Sequence, residues 1–320
     1  MSDFCNKLTY RYLTEAELPQ AKKLWAICFP EDDEEFIDYY FAERTAANCV
    51  FGAFDNANLV SMLCRDSRMM FANGELVPVC FVSGVSTDPA YRNRGIVRTL
   101  MSKLDADLIC EGFAAALLQP FDFDFYKKLG YEVFSKRRTA VINEKAIEQA
   151  YSELKLTGSE QNKSISFTRP DAALINTVYN TYFGQRNGVL QRSIERCEAL
   201  AHEFMLSGAC SLCAGRAYAF WYPKEGELTL HEFAFENAHD ALLLLERITA
   251  KHSEFLVELP CDRSIPGIPC SAEAEPLSMI KVLRDDCNWL RKLQPEPWGR
   301  GLAVQRLGPR CHRRGDLRRL

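Results

Sequence analysis

The 320-residue chain has no apolar run approaching the roughly 20 residues a bilayer-spanning helix needs, so no membrane-spanning helix is expected. Met1 to Thr9 also lacks the apolar core of a secretory leader, which leaves the cytoplasm as the default compartment. Excess charge is missing too. The formal net charge of −4 gives no reason to expect a nucleic-acid binder. Histidine is scarce: His202, His231, His239, His252 and His312 form no spaced pair and remain unassigned. Cysteine is plentiful, at 13, but the odd number and scattered spacing argue against a disulfide framework. Only Cys210 and Cys213 make a C-x-x-C, and no second pair completes a zinc ligand set. They read as core cysteines of a strand, and no metal site is expected.

Hydrophobic residues make up 47% of the chain, enough for ordinary cores, and the length suggests two domains. Asn6 to Leu13 reads as a first strand. Thr14 and Glu17 form a capping box that opens a helix to about Phe29. The acidic cluster Glu31 to Glu35 opens a second helix, to about Thr45. It reads either as a solvated helix start or as a rim that attracts cations. Strands follow at Asn48 to Phe54 and Leu59 to Asp66. Asn73-Gly74 marks a tight hairpin before a long strand, Glu75 to Thr87. After about Asn143 a similar order returns. It comprises a strand at Ser164 to Thr168, helices at Asp171 to Phe183 and Ser193 to Leu206, and a hairpin around Lys224-Glu225-Gly226. A helix at Asp240 to Ala250 and a strand at Glu254 to Leu259 complete it. This reads as a degenerate internal repeat.

Between the long strand and the next helix lies Tyr91-Arg92-Asn93-Arg94-Gly95. The helix has Ile96, Val97, Leu100, Met101, Leu104 and Leu108 on one apolar face. A loop rich in free amides at a helix N-terminus is an anion site, and a glycine there lets a phosphate approach closely. Alone, R-x-x-G at a helix start is common on surfaces. Here Leu117-Leu118-Gln119-Pro120-Phe121 and Tyr126-Lys127-Lys128-Leu129-Gly130-Tyr131 follow it. Val85 to Arg98 resembles motif A of the GNAT superfamily of N-acetyltransferases, with Val97 where most members have glycine or alanine. That departure and the two later stretches resemble the enhanced intracellular survival (Eis) type. The likeness runs from Leu8 to Leu283 and is strongest up to Asn143.

The resemblance implies an α/β fold of two GNAT-like domains, each a mixed twisted sheet flanked by helices. Residues 1–145 would hold the acetyl-CoA site and 146–290 a degenerate copy that helps shape the acceptor channel. Acetyl-CoA is implied as cosubstrate. Val85, Ser86 and Thr87 would bind its pantetheine arm, and Arg92, Asn93, Arg94, Gly95, Ile96, Val97 and Arg98 its pyrophosphate. Phe121 and Asp122 would lie near the thiol. On residue chemistry alone Tyr126 reads as a core aromatic sooner than as a catalyst; its place in the family pattern reverses this and makes it the general acid. The acceptor would be a primary amine of the aminoglycoside, polyamine or lysine-like kind. The family's assembly into hexamers implies a homo-oligomer. In the second half the matching junction, Ala234 to Asp240, has no glycine or arginine and would repel a pyrophosphate.

Eis-type proteins continue into a sterol carrier protein-like domain whose terminal carboxylate serves as general base. Here residues 291–320 are expected to form a disordered basic tail. From Glu296 onward there are seven arginines, no lysine and two acids. The shift reads as a reading-frame change or truncation that impairs turnover, or as a genuine basic tail. Two other functions compete with catalysis: a noncatalytic acetyl-CoA-binding regulatory module, and nucleic-acid binding through the tail.

Overall fold

The computed structural model describes residues 5–156, 167–184, 186–222, 228–287 and 290. The basic tail at 291–320, the turn at 224–226 and most of the expected strand at 164–168 lie outside the described residues.

The N-terminal strand is shorter than expected: β1 is Thr9–Tyr12, because Cys5–Lys7 forms a 3-10 turn. The Thr14–Glu17 box is present. Glu17 accepts from the Thr14 N–H and hydroxyl, both at 2.9 Å, and Arg11 grips the same carboxylate. Arg11 and Thr14 together pull the Glu17 carboxyl down to about 2. A 3-10 turn there leads into α1, Leu18–Cys28. Asp33 caps α2, Glu34–Tyr39, through the Phe36 N–H, and a π-helical turn, Tyr40–Arg44, continues it. The acidic cluster therefore does two things: Asp33 starts the helix, while Asp32 is buried.

Strands β2 (Val50–Asp55), β3 (Asn58–Ala72) and β4 (Glu75–Thr87) form a meander. The β3–β4 turn is Asn73-Gly74, both at positive φ, the geometry a two-residue hairpin requires. Helix α3, Ile96–Cys110, buries Ile96, Leu100, Leu104 and Leu108 at four-residue spacing. Each such side chain contributes about 1.5–3 kcal/mol. Next come β5 (Ala115–Leu118), α4 (Phe123–Lys127), β6 (Glu132–Asn143) and α5 (Glu144–Leu154).

The second half holds β7 (Phe167–Thr168), α6 (Ala172–Phe183), α7 (Ile194–Leu206), β8 (Cys210–Ala214) and β9 (Ala217–Trp221). It ends with β10 (Thr229–Phe235), α8 (Ala238–Thr249), β11 (Glu254–Pro260) and β12 (Glu275–Val282). The stretch read as one strand, Ala209 to Trp221, folds back on itself as the β8–β9 hairpin.

The twelve strands of the described residues join one mixed sheet in the order β1-β2-β3-β4-β5-β12-β6-β11-β10-β9-β8-β7. Each half has one parallel pair, β4·β5 and β10·β11, with a helix crossing between its strands. The halves are stitched together at β6, which pairs β11 on one edge and β12 on the other. Strand β12, from near the end of the described chain, sits antiparallel between β5 and β6. Neither β12 nor α5 was expected. One sheet face carries α3 and α4 over Leu63, Val82 and Leu118, and the other carries α1 and α2 over Met62 and Cys64.

Candidate active site

Parallel pairing of β4 with β5 covers only Val79–Val82 against Ala115–Leu118. Strand β5 then ends before Pro120, while β4 runs on from Ser83 to Thr87 held by β3 alone. The two strands therefore part at Ser83. A bulge marks the same place: Ser83 pairs Cys64 and Ser86 pairs Met62, so Gly84 and Val85 oppose one residue of β3. Gly84 has φ +58, and a Cβ there would lie 2.6 Å from the Trp25 ring. Glycine meets both demands, the left-handed backbone and the close approach of an indole. Ser61 Oγ fixes the end of the strand by donating to Ser86 O at 2.7 Å and meeting Thr87 Oγ1 at 2.9 Å.

After Thr87 the chain turns through a short 3-10 turn, Pro89–Tyr91, capped by Asp88. The Tyr91 hydroxyl donates to Asp55 Oδ2 at 2.9 Å, and the Arg94 guanidinium lies over the Tyr91 ring. Arg92 Nε donates to Thr87 O at 3.1 Å, so this arginine ties the loop to the end of β4. Asn93 and Gly95 both have positive φ, a succession that curls backbone into anion-binding concavities. Helix α3 then begins at Ile96 with no side-chain cap. Helices α2 and α4 to α8 each have one, from Asp33, Asp122, Asn143, Asp171, Ser193 and Asn237. Helical geometry leaves the first N–H groups of α3 without an intrahelical acceptor. No heavy atom lies within 4 Å of where a Gly95 Cβ would sit. Open space, an uncapped helix start and two guanidiniums fit a pyrophosphate.

Tyr126 lies on α4, buried among Phe121, Phe125 and Tyr131 with ring centroids 5.1–5.9 Å apart. It shares its core layer with Val82, Ile96 and Leu118, the residues around the parting strands. Burial, with Asp122 nearby, pushes its hydroxyl well above the usual phenol range, so it holds its proton throughout the neutral range. Asp122 caps α4 by accepting from the Asp124 and Phe125 N–H groups. Phe121 exposes 45% of its surface beside Tyr126.

The other face of the parting strands escaped the sequence. Tyr40 OH and Ser83 Oγ lie 3.0 Å apart and buried, and Trp25 Nε1 donates to Asp32 Oδ2 at 2.8 Å. Burial pushes the Asp32 carboxyl up to about 6. Only the count of acids around Asp32 hinted at it, and that pattern equally fits a helix start.

The second-half junction is built differently. Asn237 caps α8, and Asp240 Oδ2 accepts the Arg216 N–H at 2.7 Å, so side chains of the chain itself occupy that helix start. Cys210 is exposed and Cys213 buried, three apart on β8 and so on opposite faces of the strand. Among the described residues no three His, Cys, Asp or Glu side chains are grouped to hold a metal ion.

Residues 9–134 match the family model described as acetyltransferase (GNAT) domain. No curated protein matches the chain. Among solved structures, a conserved protein of unknown function from Enterococcus faecalis V583, described as a probable N-acyltransferase, superposes with TM-score 0.69. It shares 14% identity over 88% of this chain and 74% of its own. Eis1 from Mycobacterium abscessus gives TM-score 0.66 at 13% identity, covering 86% and 73%. N-myristoyltransferase of Saccharomyces cerevisiae with bound myristoyl-CoA gives 0.52 at 10%, covering 86% and 79%. At such identities the likeness is one of fold.

Proposed function

We propose that this chain is an acetyl-CoA-dependent N-acetyltransferase of the Eis type, acting on a primary amine. The observation that carries the reading is the parting of β4 from β5 at Ser83, in the same core layer as Ile96 at the uncapped start of α3. Backbone groups of Val85, Ser86 and Thr87 would receive the amides and carbonyls of the pantetheine arm as a further strand would. The amides from Asn93 to Arg98 would surround the pyrophosphate, with the helix dipole adding to the attraction. Arg92 is bound to Thr87 O, so it would hold strand and loop in register as well as adding charge.

The reaction is direct attack. A neutral amine adds to the thioester carbonyl, the C–N bond forms and the C–S bond breaks. The amine's extra proton leaves to solvent, the departing thiolate takes the Tyr126 proton, and Tyr126 regains a proton from solvent. Burial keeps the Tyr126 hydroxyl protonated and so present as a donor to the sulfur while charge develops there; because a thiol titrates at ~8.5, the hydroxyl acts chiefly by hydrogen bonding in the transition state. Phe121 and Asp122 would border the thiol, Asp122 by setting the start of α4. The acceptor classes carried by the resemblance are aminoglycosides, polyamines and lysine-like amines.

Calorimetric titration of acetyl-CoA into the full chain, followed by mass spectrometry of an amine panel for N-acetyl products, tests the reading. Binding with turnover supports it. Binding without any product supports the noncatalytic module, and no binding rejects the site.

A further inference from the structure

On the face that carries α1 and α2, β3 places Cys64, Asp66 and Arg68 in line. Cys64 pairs across the strands with Ser83, where β4 leaves β5, and Asp66 pairs with Phe81. Asp66 therefore lies one side-chain repeat, about 7 Å, from the parting point on the face that carries α1 and α2. There the first half meets α7. Arg68 Nη2 reaches Asp66 Oδ2 at 2.7 Å, and Arg44 Nη2 and Arg196 Nη2 stand 3.8 and 3.9 Å from the same oxygen. Arg44 Nε also donates to Glu203 Oε2 at 3.0 Å.

This floor is incompletely satisfied. Arg68 Nε, Arg196 Nη1 and Glu203 Oε1 are buried without a hydrogen-bond partner, and the Glu203 side chain is only 4% exposed. Three guanidiniums face the carboxylates of Asp66 and Glu203, and a third carboxyl, Asp32, lies near Glu203. Burial, with Arg44 and Arg192 nearby, pulls the Arg68 guanidinium below its usual range, so the fold itself resists this charge. The floor reaches solvent at Asp66, whose side chain is 25% exposed. A carboxylate entering there would lie next to the buried, idle donors of Arg68 and Arg196 and would pair them once those side chains turn toward it. A polyamine would bring further positive charge to three guanidiniums.

We propose that Arg68 and Arg196 form a carboxylate subsite of the acceptor pocket, so that the acceptor is a lysine-like ω-amino acid. The proposal rests on the transferase reading and narrows its acceptor. With the carboxylate at the Asp66–Arg68 level and the reacting nitrogen at the level of Ser83, several methylenes must separate the two groups. The transfer is unchanged: the ω-amine becomes an acetamide and CoA leaves as its thiol.

The test is a ladder of glycine, β-alanine, γ-aminobutyrate, ε-aminocaproate and L-lysine, beside butylamine and spermidine, each assayed with the full chain and acetyl-CoA. We expect kcat/KM to rise along the ladder and to exceed that of butylamine and spermidine at least tenfold. Arg68→Gln and Arg196→Gln should each raise KM for ε-aminocaproate at least tenfold with a small change in kcat, while calorimetry gives an unchanged Kd for acetyl-CoA. A purely structural ion-pair network would show no such split. Butylamine or spermidine matching the amino acids, or KM unmoved in both variants, overturns the subsite and leaves the transferase standing. Failure to bind acetyl-CoA overturns both.

Discussion

Trp25 donates from its indole nitrogen to Asp32 at 2.8 Å, while the far edge of its ring fills the space beside Gly84. One side chain thus links the loop between α1 and α2 to the bulge where β4 parts from β5. The Asp32 carboxyl, desolvated there, titrates near 6 in place of its ordinary 3.8. In the pH window from about 4 to 6 the folded chain therefore holds a proton that the unfolded chain releases. Stability from this group is full below that window and falls as pH rises through it. Asp32→Asn can still accept from Trp25 but does not ionise. Urea denaturation at pH 4 and pH 8 should show the variant losing less stability on going up, by about 1–3 kcal/mol. Parallel pH dependences for the two proteins would mean that the carboxyl is not desolvated.

Gly84 and Gly95 separate fold from binding. A methyl at Gly84 meets the Trp25 ring at 2.6 Å, and the residue also sits at φ +58. Gly84→Ala should cost about 1–3 kcal/mol of stability, read as a lower urea midpoint.

At Gly95 the protein leaves open space, so a larger side chain meets only the strain of φ +81, roughly 1–2 kcal/mol. Gly95→Trp should fold, with a modestly lower melting temperature, yet lose acetyl-CoA binding because the indole fills the proposed phosphate position. Unchanged binding by calorimetry would sink the loop assignment.

Local signals made the first half legible. The capping box at Thr14–Glu17, the Asn73-Gly74 turn and the Glu75–Thr87 strand lie where the sequence puts them, because each rests on residues close in the chain. Strand β12 was not legible. Glu275–Val282 has no turn signal joining it to a neighbour, and its partners, β5 and β6, lie more than 130 residues away in the chain. The ion-pair cluster around Asp66 was hidden for the same reason. Arg44, Asp66, Arg196 and Glu203 lie far apart in the chain, and only the π turn, strand and helix bring them together.

Arg192 offers a stability test in the core of the second half. It pairs with Glu232 through two bonds of 2.7 and 3.1 Å, and Tyr218 adds a third to the same, fully buried carboxylate. Arg192→Leu leaves that carboxylate in an apolar interior without its cation. We expect a loss of about 3–5 kcal/mol. The double variant Arg192→Leu/Glu232→Leu should recover part of it, because the unpaired charge is then gone. A double variant no more stable than the single one would show that the cost comes from packing.

Tyr126 separates a core aromatic from a proton donor. Its ring stands edge-on to Phe121, Phe125 and Tyr131, and Tyr126→Phe keeps all three contacts. If the hydroxyl only fills space, the variant should match the parent in both melting temperature and rate. If it protonates the leaving thiolate, kcat should fall roughly 10²–10⁴-fold at nearly unchanged stability and acetyl-CoA affinity. The leaving group supplies a control. A thioester whose thiol is more acidic than that of CoA needs less proton donation, so the rate deficit of Tyr126→Phe should shrink with it. A deficit independent of leaving-group acidity would assign the loss to a displaced cosubstrate, and an undiminished kcat in a single-turnover assay would return Tyr126 to the core.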